Sequence, residues 1–175
     1  FINSNIGTKE FKNARKRIAD FIGASKNSIV FTKSATESIN LVAESWGYDN
    51  LNSGDVILLT DMEHHSNIIP WQIICKKTGA KIKYIRSTEN GTINLEDLKK
   101  SLDSNVKIVS ITHASNVFGT INPVKEITNI VKKNGSKIMI DGCQSIPHMK
   151  VNVKDLDCDF YAFSGHKMFG PTGVG

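Results

Sequence analysis

The sequence predicts an α/β protein with a mainly parallel sheet and helices on both of its faces. Helical patterns alternate with strands almost throughout, and the strands are short, continuous apolar runs. Parallel strands have that composition because crossover helices bury both faces of the sheet. With 175 residues and 39% hydrophobic residues, the chain can form one domain with a substantial core.

The first half of the chain contains three predicted helices and three predicted strands. Apolar residues at helical spacing predict a helix over 9–22, and a capping box at Ser34–Glu37 predicts that the next helix begins there. Pro70 suits the first turn of a third helix, which is expected to run to Lys77. The apolar runs at 29–32, 56–59 and 81–85 are predicted strands.

The second half repeats this alternation. Asn94 is predicted to cap a short helix over 95–102, and a helix that begins at Pro123 is expected to end at Asn134-Gly135. Strands are predicted at 106–111, at 138–140 and in the aromatic-rich run 159–163.

Composition excludes several classes of protein. The net charge is +5, but the lysines are dispersed over predicted helix faces, which makes a nucleic-acid binder a weak alternative. Three separated cysteines without C-x-x-C spacing disfavour a disulfide scaffold or a zinc site and fit a reducing compartment. No long apolar run or signal peptide is seen, so we expect no membrane association. The expected location is the cytoplasm, or an organelle matrix or stroma in a eukaryote.

Polar clusters follow the predicted strands, at the edge where parallel sheets bind ligands. They are Ser34–Thr36, His64-His65, Asn116, Asp141 with Gln144, and Ser164–Lys167. The sequence therefore predicts that five clusters converge on one edge of the sheet.

These groups match what pyridoxal 5′-phosphate requires: an amine, an acid for its ring nitrogen, a contact for its ring face and phosphate ligands. Lys167 is the candidate amine, and Asp141, at the end of a buried strand, is the candidate acid. His64 is a flat group that could stack on the ring; the alternatives are a plain loop histidine and a metal ligand, and the second lacks further ligands at suitable spacing. A surface lysine and a helix-capping or turn aspartate remain the plain alternatives for Lys167 and Asp141.

Phosphate ligands are expected on either side of this amine. The predicted helix N-terminus at 34–36 offers N–H donors and a hydroxyl, and Ser164 and His166 lie beside the lysine. The segment 170–175 is rich in glycine but lacks the Lys-Ser/Thr of a Walker nucleotide loop.

Several motifs resemble one known family. Ser164–Lys167 and Asp141–Ser145 resemble the class V aminotransferase superfamily of fold type I, and 63–72, 115–120 and 159–175 resemble more narrowly the SUF-type (group II, NifS-like) cysteine desulfurases. The resemblance covers essentially the whole chain. It implies that residues 1–175 are the large, cofactor-binding domain, incomplete at both ends and without the C-terminal small domain.

The resemblance also implies a role for each residue. Lys167 would bind the cofactor's aldehyde covalently, Asp141 would pair with the ring nitrogen, Gln144 would contact the phenolic oxygen, and His64 would stack on the ring and relay protons. Thr36, Ser164, His166 and the amide of Ala35 would hold the phosphate, and Asn116 would lie near the substrate carboxylate.

The implied enzyme converts L-cysteine to L-alanine and an enzyme-bound persulfide for iron–sulfur cluster assembly, as a homodimer that serves a SUF sulfur-acceptor protein. None of Cys75, Cys143 and Cys158 matches the family's nucleophile, so we expect this segment alone to be inactive. Two alternatives stay open. One is a related enzyme such as a selenocysteine lyase, a kynureninase-like hydrolase or an epimerase-like relative, and the other is a non-catalytic assembly module.

Overall fold

The structure, a computed structural model, describes residues 2–175 and the side chains from Asn5 onward. Its centre is a five-stranded, wholly parallel sheet in the order β2-β1-β3-β4-β5. The strands are β1 (Val56–Thr60), β2 (Lys81–Ile85), β3 (Val106–Thr112), β4 (Lys137–Asp141) and β5 (Phe160–Ala162). The predicted fold class is confirmed.

Seven α-helices lie in the described part of the chain. They are α1 (Ile2–Ile22), α2 (Ala35–Val42), α3 (Tyr48–Asn50), α4 (Ile69–Thr78), α5 (Leu95–Ser101), α6 (Val124–Lys133) and α7 (Val153–Leu156). A π-helical turn, Ala43–Gly47, joins α2 to α3. No helix in residues 2–175 has both the length and the apolar character that crossing a bilayer requires.

Helices cover both faces of the sheet because alternate strand residues are apolar on both sides. Leu58 and Val109 pack on one face with α5 and α6, whereas Ile57, Ile108 and Met139 pack on the other with α2 and α4. A third, smaller cluster joins α1 to the segment that follows β4. This arrangement buries the middle of every central strand and leaves the carboxyl ends of the strands free for a site.

Several elements differ from the prediction. Helix α1 begins at Ile2 and not at Lys9, and the last strand is limited to 160–162. Residues 29–32 are extended but form no strand, because their cross-strand backbone bonding is restricted to one reciprocal pair between Thr32 and Gly175, at 2.8 Å in each direction. Phe1, included in the predicted domain, lies outside the described residues.

Candidate active site

A cavity of about 230 Å³ opens at the carboxyl ends of the strands. All nine residues predicted to form the site line it: Ala35, Thr36, His64, Asn116, Asp141, Gln144, Ser164, His166 and Lys167. Ser34, which belongs to the first predicted cluster, and four residues to which the sequence assigned no role in the site complete the lining: Ser66, Thr112, Ala114 and Cys143. The five predicted clusters therefore meet in one place.

One wall of the cavity is the N-terminus of α2. Ser34 caps this helix, since its hydroxyl accepts from the N–H of Glu37 at 3.2 Å. The N–H of Ala35 donates to Ser164 Oγ at 2.8 Å, so this predicted phosphate donor has a protein partner here. Within the described residues, the N–H of Thr36 has no such partner. An anion at this helix end would meet the Thr36 amide and the hydroxyls of Thr36 and Ser164.

The hydroxyl of Ser66 connects this helix to His64. Ser66 Oγ lies 2.8 Å from Thr36 Oγ1 and 3.0 Å from Nδ1 of His64. The backbone N–H of Ser66 also donates to that Nδ1, at 3.1 Å. Because a backbone N–H can only donate, Nδ1 must accept, and the neutral ring carries its proton on Nε2.

Asp141 ends β4 and lies at the base of the cavity. Its side chain is buried, and Oδ1 accepts from the N–H of Cys143 at 3.0 Å. The residue lines the cavity, and the Cys143 thiol also lies within hydrogen-bonding reach of its carboxylate. A buried carboxylate that lines a cavity is suited to bind a cationic donor.

The turn after Asp141 depends on close packing against Tyr161. A Cβ at Gly142 would lie 2.1 Å from the Tyr161 ring, so a side chain there would displace the ring. The Tyr161 hydroxyl lies 2.6 Å from Ser145 Oγ and 2.9 Å from Nδ1 of the buried His113. Burial raises the pKa of Tyr161 and lowers that of His113 to about 4. Both groups are therefore neutral near pH 7 and act as a support beneath the turn.

Lys167 lies in a short 3₁₀ helix, Gly165–Met168, directly after β5. Its side chain is exposed at the mouth of the cavity. Among the described residues no carboxylate forms an ion pair with it. The amine is therefore accessible to a molecule that enters the cavity, although it is less shielded from solvent than the sequence predicts.

The three cysteines are poor nucleophiles in this structure. Burial raises the pKa of Cys143, which lines the cavity, to about 12 and that of Cys158 to about 11, and it also raises the pKa of Cys75. The thiolate is the reactive form, so none of the three is activated.

The part of the chain that the structure describes also holds no group of three or more His, Cys, Asp or Glu side chains that could bind a metal ion.

Sequence reasoning missed the residues that connect the site to its surroundings. Ser66 stands two positions after His64, and this short spacing was the signal in the sequence that its hydroxyl could reach the His64 ring. Glu63 precedes His64 and is almost fully buried although it is charged in the unfolded chain, which no local pattern reveals.

The chain matches known proteins over nearly all of its length. Residues 4–175 match the model of the aminotransferase class-V family. A probable cysteine desulfurase of Halalkalibacterium halodurans is 53% identical over 171 residues, which are 97% of this chain and 42% of that protein. A cysteine desulfurase of Haloferax volcanii is 50% identical over 94% of this chain and 39% of that protein. The chain thus spans about two-fifths of the length of these relatives.

Solved structures have the same fold. The crystal structure of the cysteine desulfurase CsdA (S-sulfonic acid) from Escherichia coli superimposes with a TM-score of 0.93 at 34% identity and covers 100% of this chain and 44% of that one. The apo structure of a cysteine desulfurase from Thermococcus onnurineus gives a TM-score of 0.91 at 43% identity, with 98% and 42% covered.

Proposed function

The chain belongs to the class-V aminotransferase family, and from this premise we propose that it is the cofactor-binding part of a pyridoxal 5′-phosphate-dependent cysteine desulfurase. One observation carries the proposal: an accessible lysine and a buried carboxylate line the same cavity as a helix N-terminus with a free amide. Relatives at 50% and 53% identity are named cysteine desulfurases, which supports the reaction class.

The donors and acceptors of the cavity fit this cofactor. The buried carboxylate of Asp141 lines the cavity and can pair with a protonated ring nitrogen, and the hydroxyls of Thr36 and Ser164 lie beside the free amide of α2, where they can bind a phosphate. Lys167 lies at the mouth of the cavity, where its amine can react with the aldehyde of the cofactor. We assign the remaining roles to His166 as a further phosphate ligand, Gln144 at the phenolic oxygen and Asn116 near the substrate carboxylate.

When bound, the cofactor supplies an electron-withdrawing ring that makes the substrate's α-proton acidic. The protein supplies the rest. Asp141 keeps the ring nitrogen protonated, because a buried carboxylate is stabilised by a cationic partner. Lys167 Nζ takes the α-proton, and His64, with its proton on Nε2, faces the cavity as a flat contact and proton donor.

The overall reaction transfers the sulfur of L-cysteine to an enzyme thiol. The carbon–sulfur bond of the substrate breaks, an S–S bond to a cysteine of the enzyme forms, and L-alanine leaves. Since burial raises the pKa of all three cysteines described here, we place the nucleophilic thiol elsewhere in the complete protein. We further propose that the persulfide serves iron–sulfur cluster assembly through a SUF-type acceptor protein, and that the enzyme is a homodimer in the cytoplasm or an organelle matrix or stroma.

Covalent capture of the cofactor tests this proposal. Pyridoxal 5′-phosphate is added to the complete protein, borohydride reduces the adduct, and peptide mass spectrometry locates it. We expect the modification at Lys167, its loss in Lys167→Ala, and parental labelling in Lys150→Ala, which removes an exposed lysine outside the cavity. An unchanged adduct in Lys167→Ala would refute the assignment.

A further inference from the structure

Glu63 is a buried carboxyl at the centre of a hydrogen-bond network behind the cavity. Only 8% of the residue is exposed. Its Oε1 accepts from the hydroxyl of Thr60 at the end of β1 and from the N–H of Thr112 at the end of β3, the latter at 2.9 Å. Its Oε2 accepts from Nδ2 of Asn67 at 2.7 Å. One side chain thus binds two strand ends and the segment that leads into α4.

The orientation of the Asn67 side-chain amide is fixed by Trp71, a donor that does not bind Glu63 itself. Nε1 of the fully buried Trp71 donates to Oδ1 of Asn67 at 3.2 Å, and Ser110 Oγ donates to the same oxygen at 2.6 Å. Because an indole nitrogen can only donate, the Asn67 amide cannot be reversed, and its Nδ2 must face Glu63. The network therefore requires an acceptor at Oε2 of Glu63.

We propose that Glu63 is a positioning residue that holds the 61–67 segment so that His64 faces the cavity. His64 is the next residue in the chain, and Thr112, which Glu63 also binds, lines the cavity too. The role of His64 in catalysis rests on the proposed function, but the effect of Glu63 on the position of the His64 ring does not. Glu63 itself does not line the cavity and acts through its neighbours.

The network accommodates a neutral as well as a charged Glu63. Burial raises its pKa to about 7, and the three hydrogen bonds and the charge of Asp141 modify that rise. A proton on Oε1 can be donated to Thr60 Oγ1, since a hydroxyl can accept as well as donate. Glutamine has no equivalent state: its NH₂ group would meet either the N–H of Thr112 or the Nδ2 of Asn67, and both are donors.

This difference between glutamate and glutamine determines which variants test the proposal. Glu63→Gln keeps the shape and introduces one donor–donor contact. Combining it with Asn67→Asp restores the pairing, because the introduced glutamine can donate to the new carboxylate while the other carboxylate oxygen accepts from Trp71 and Ser110. Asp61→Asn is the matched control: this carboxylate lies in the same segment, is exposed, and accepts from the N–H of Ser87 at 3.0 and 3.2 Å.

The first measurement is the ¹⁵N–¹H spectrum of the histidine rings in the cofactor-free complete protein, with His64→Gln used to assign the His64 signals. We expect Glu63→Gln to shift the His64 signals, Asp61→Asn to leave them unchanged, and the double variant to return them to parental positions. Unchanged His64 signals in Glu63→Gln would overturn the proposal. So would a double variant that fails to recover the parental signals, whether or not the single variant folds.

The second measurement is steady-state turnover of L-cysteine by the loaded protein. Displacing a side chain at the reacting centre can cost about 100-fold in rate, so we expect Glu63→Gln to lower kcat by about tenfold or more, with KM little changed and with recovery in the double variant. If the ring signals behave as expected but the protein binds no cofactor, the proposed function fails while the positioning role stands. A parental kcat in a Glu63→Gln protein with shifted ring signals would overturn the catalytic part.

Discussion

The backbone N–H of Ala35 donates to the hydroxyl of Ser164 over 2.8 Å and joins residues that are 129 positions apart in the sequence. This bond links the first turn of α2 to the turn that carries Lys167. Both partners are buried, at 3% and 4% exposure. This bond helps to fix the position of the candidate lysine relative to the helix N-terminus, together with the reciprocal backbone pair between Thr32 and Gly175.

Ser164→Ala should both destabilise the protein and weaken its hold on the cofactor. It leaves the Ala35 N–H buried without a partner, which costs about 1–3 kcal/mol, and it removes one of the proposed phosphate donors. Urea unfolding and fluorescence titration with pyridoxal 5′-phosphate measure the two effects. Ser45→Ala, which removes an exposed hydroxyl bonded to the carbonyl of Leu41, should change neither, and equal behaviour of the two variants would contradict the prediction.

Asp141→Asn should impair turnover much more than folding. The amide oxygen of asparagine can still accept from the N–H of Cys143, so we expect the free energy of unfolding to change by no more than about 1 kcal/mol. The variant loses the negative charge that stabilises a protonated ring, and kcat should fall by about 100-fold or more. The matched control is Asp155→Asn on the surface of α7, and wild-type turnover by Asp141→Asn would disprove the role.

The contribution of Glu63 to stability should decrease as the pH rises. Burial raises its pKa from 4.5 to about 7, so the folded protein binds this proton more tightly than the unfolded chain does. The stabilisation is complete below pH 4.5 and is lost as the pH passes through about 7, a change of roughly 3 kcal/mol. The measurement is the difference in unfolding free energy between the parent and Glu63→Gln at several pH values.

Because both proteins contain His113, the difference between their unfolding free energies cancels the contribution of His113. That contribution to stability increases with pH, whereas the contribution of Glu63 decreases. The folded-state pKa of His113 is lowered to about 4, so its contribution is present at neutral pH and is lost on acidification. A pH-independent difference between the two proteins would show that Glu63 keeps an ordinary pKa.

Gly142→Ala should destabilise the turn after Asp141, because the added methyl group would lie within 2.1 Å of the Tyr161 ring. Overpacking of this kind costs about 1–3 kcal/mol. In a double-mutant cycle, Tyr161→Leu removes the ring and should make Gly142→Ala less costly. If the two free-energy changes are strictly additive, the Tyr161 ring is not the reason that a side chain at residue 142 is destabilising.

The sequence was sufficient to place the five strands of the sheet and the residues at its edge, although the strand that it predicted at 29–32 does not form. The short apolar runs at 106–111 and 138–140, which are rich in β-branched residues, favour buried strands, and the rule that parallel strands present their carboxyl ends together indicated Asp141 and Lys167 as neighbours. Their roles toward a cofactor remain predictions.

What the sequence did not reveal depends on contacts between distant segments. The π-helical turn Ala43–Gly47 lies in a run that local propensity describes as ordinary helix, and Gly47 there is buried next to Ile74 and Trp71 of α4. The burial of Glu63 is equally non-local, since its donors come from β1, β3 and the segment that leads into α4. Neither feature leaves a periodic signal.

The long separation between Ala35 and Ser164 also determines when the cavity can form during folding. The three central strands can pair and collapse first, whereas the wall formed by Ser164 and Lys167 closes only when β5 joins the sheet at its edge. Pairings between distant segments are the slow steps of folding because chain closure precedes the contacts that stabilise it. If the proposed function holds, a ribosome-bound chain would therefore acquire affinity for the phosphate-bearing ligand only after residue 167 has emerged, and ligand capture would report that this wall of the cavity had closed.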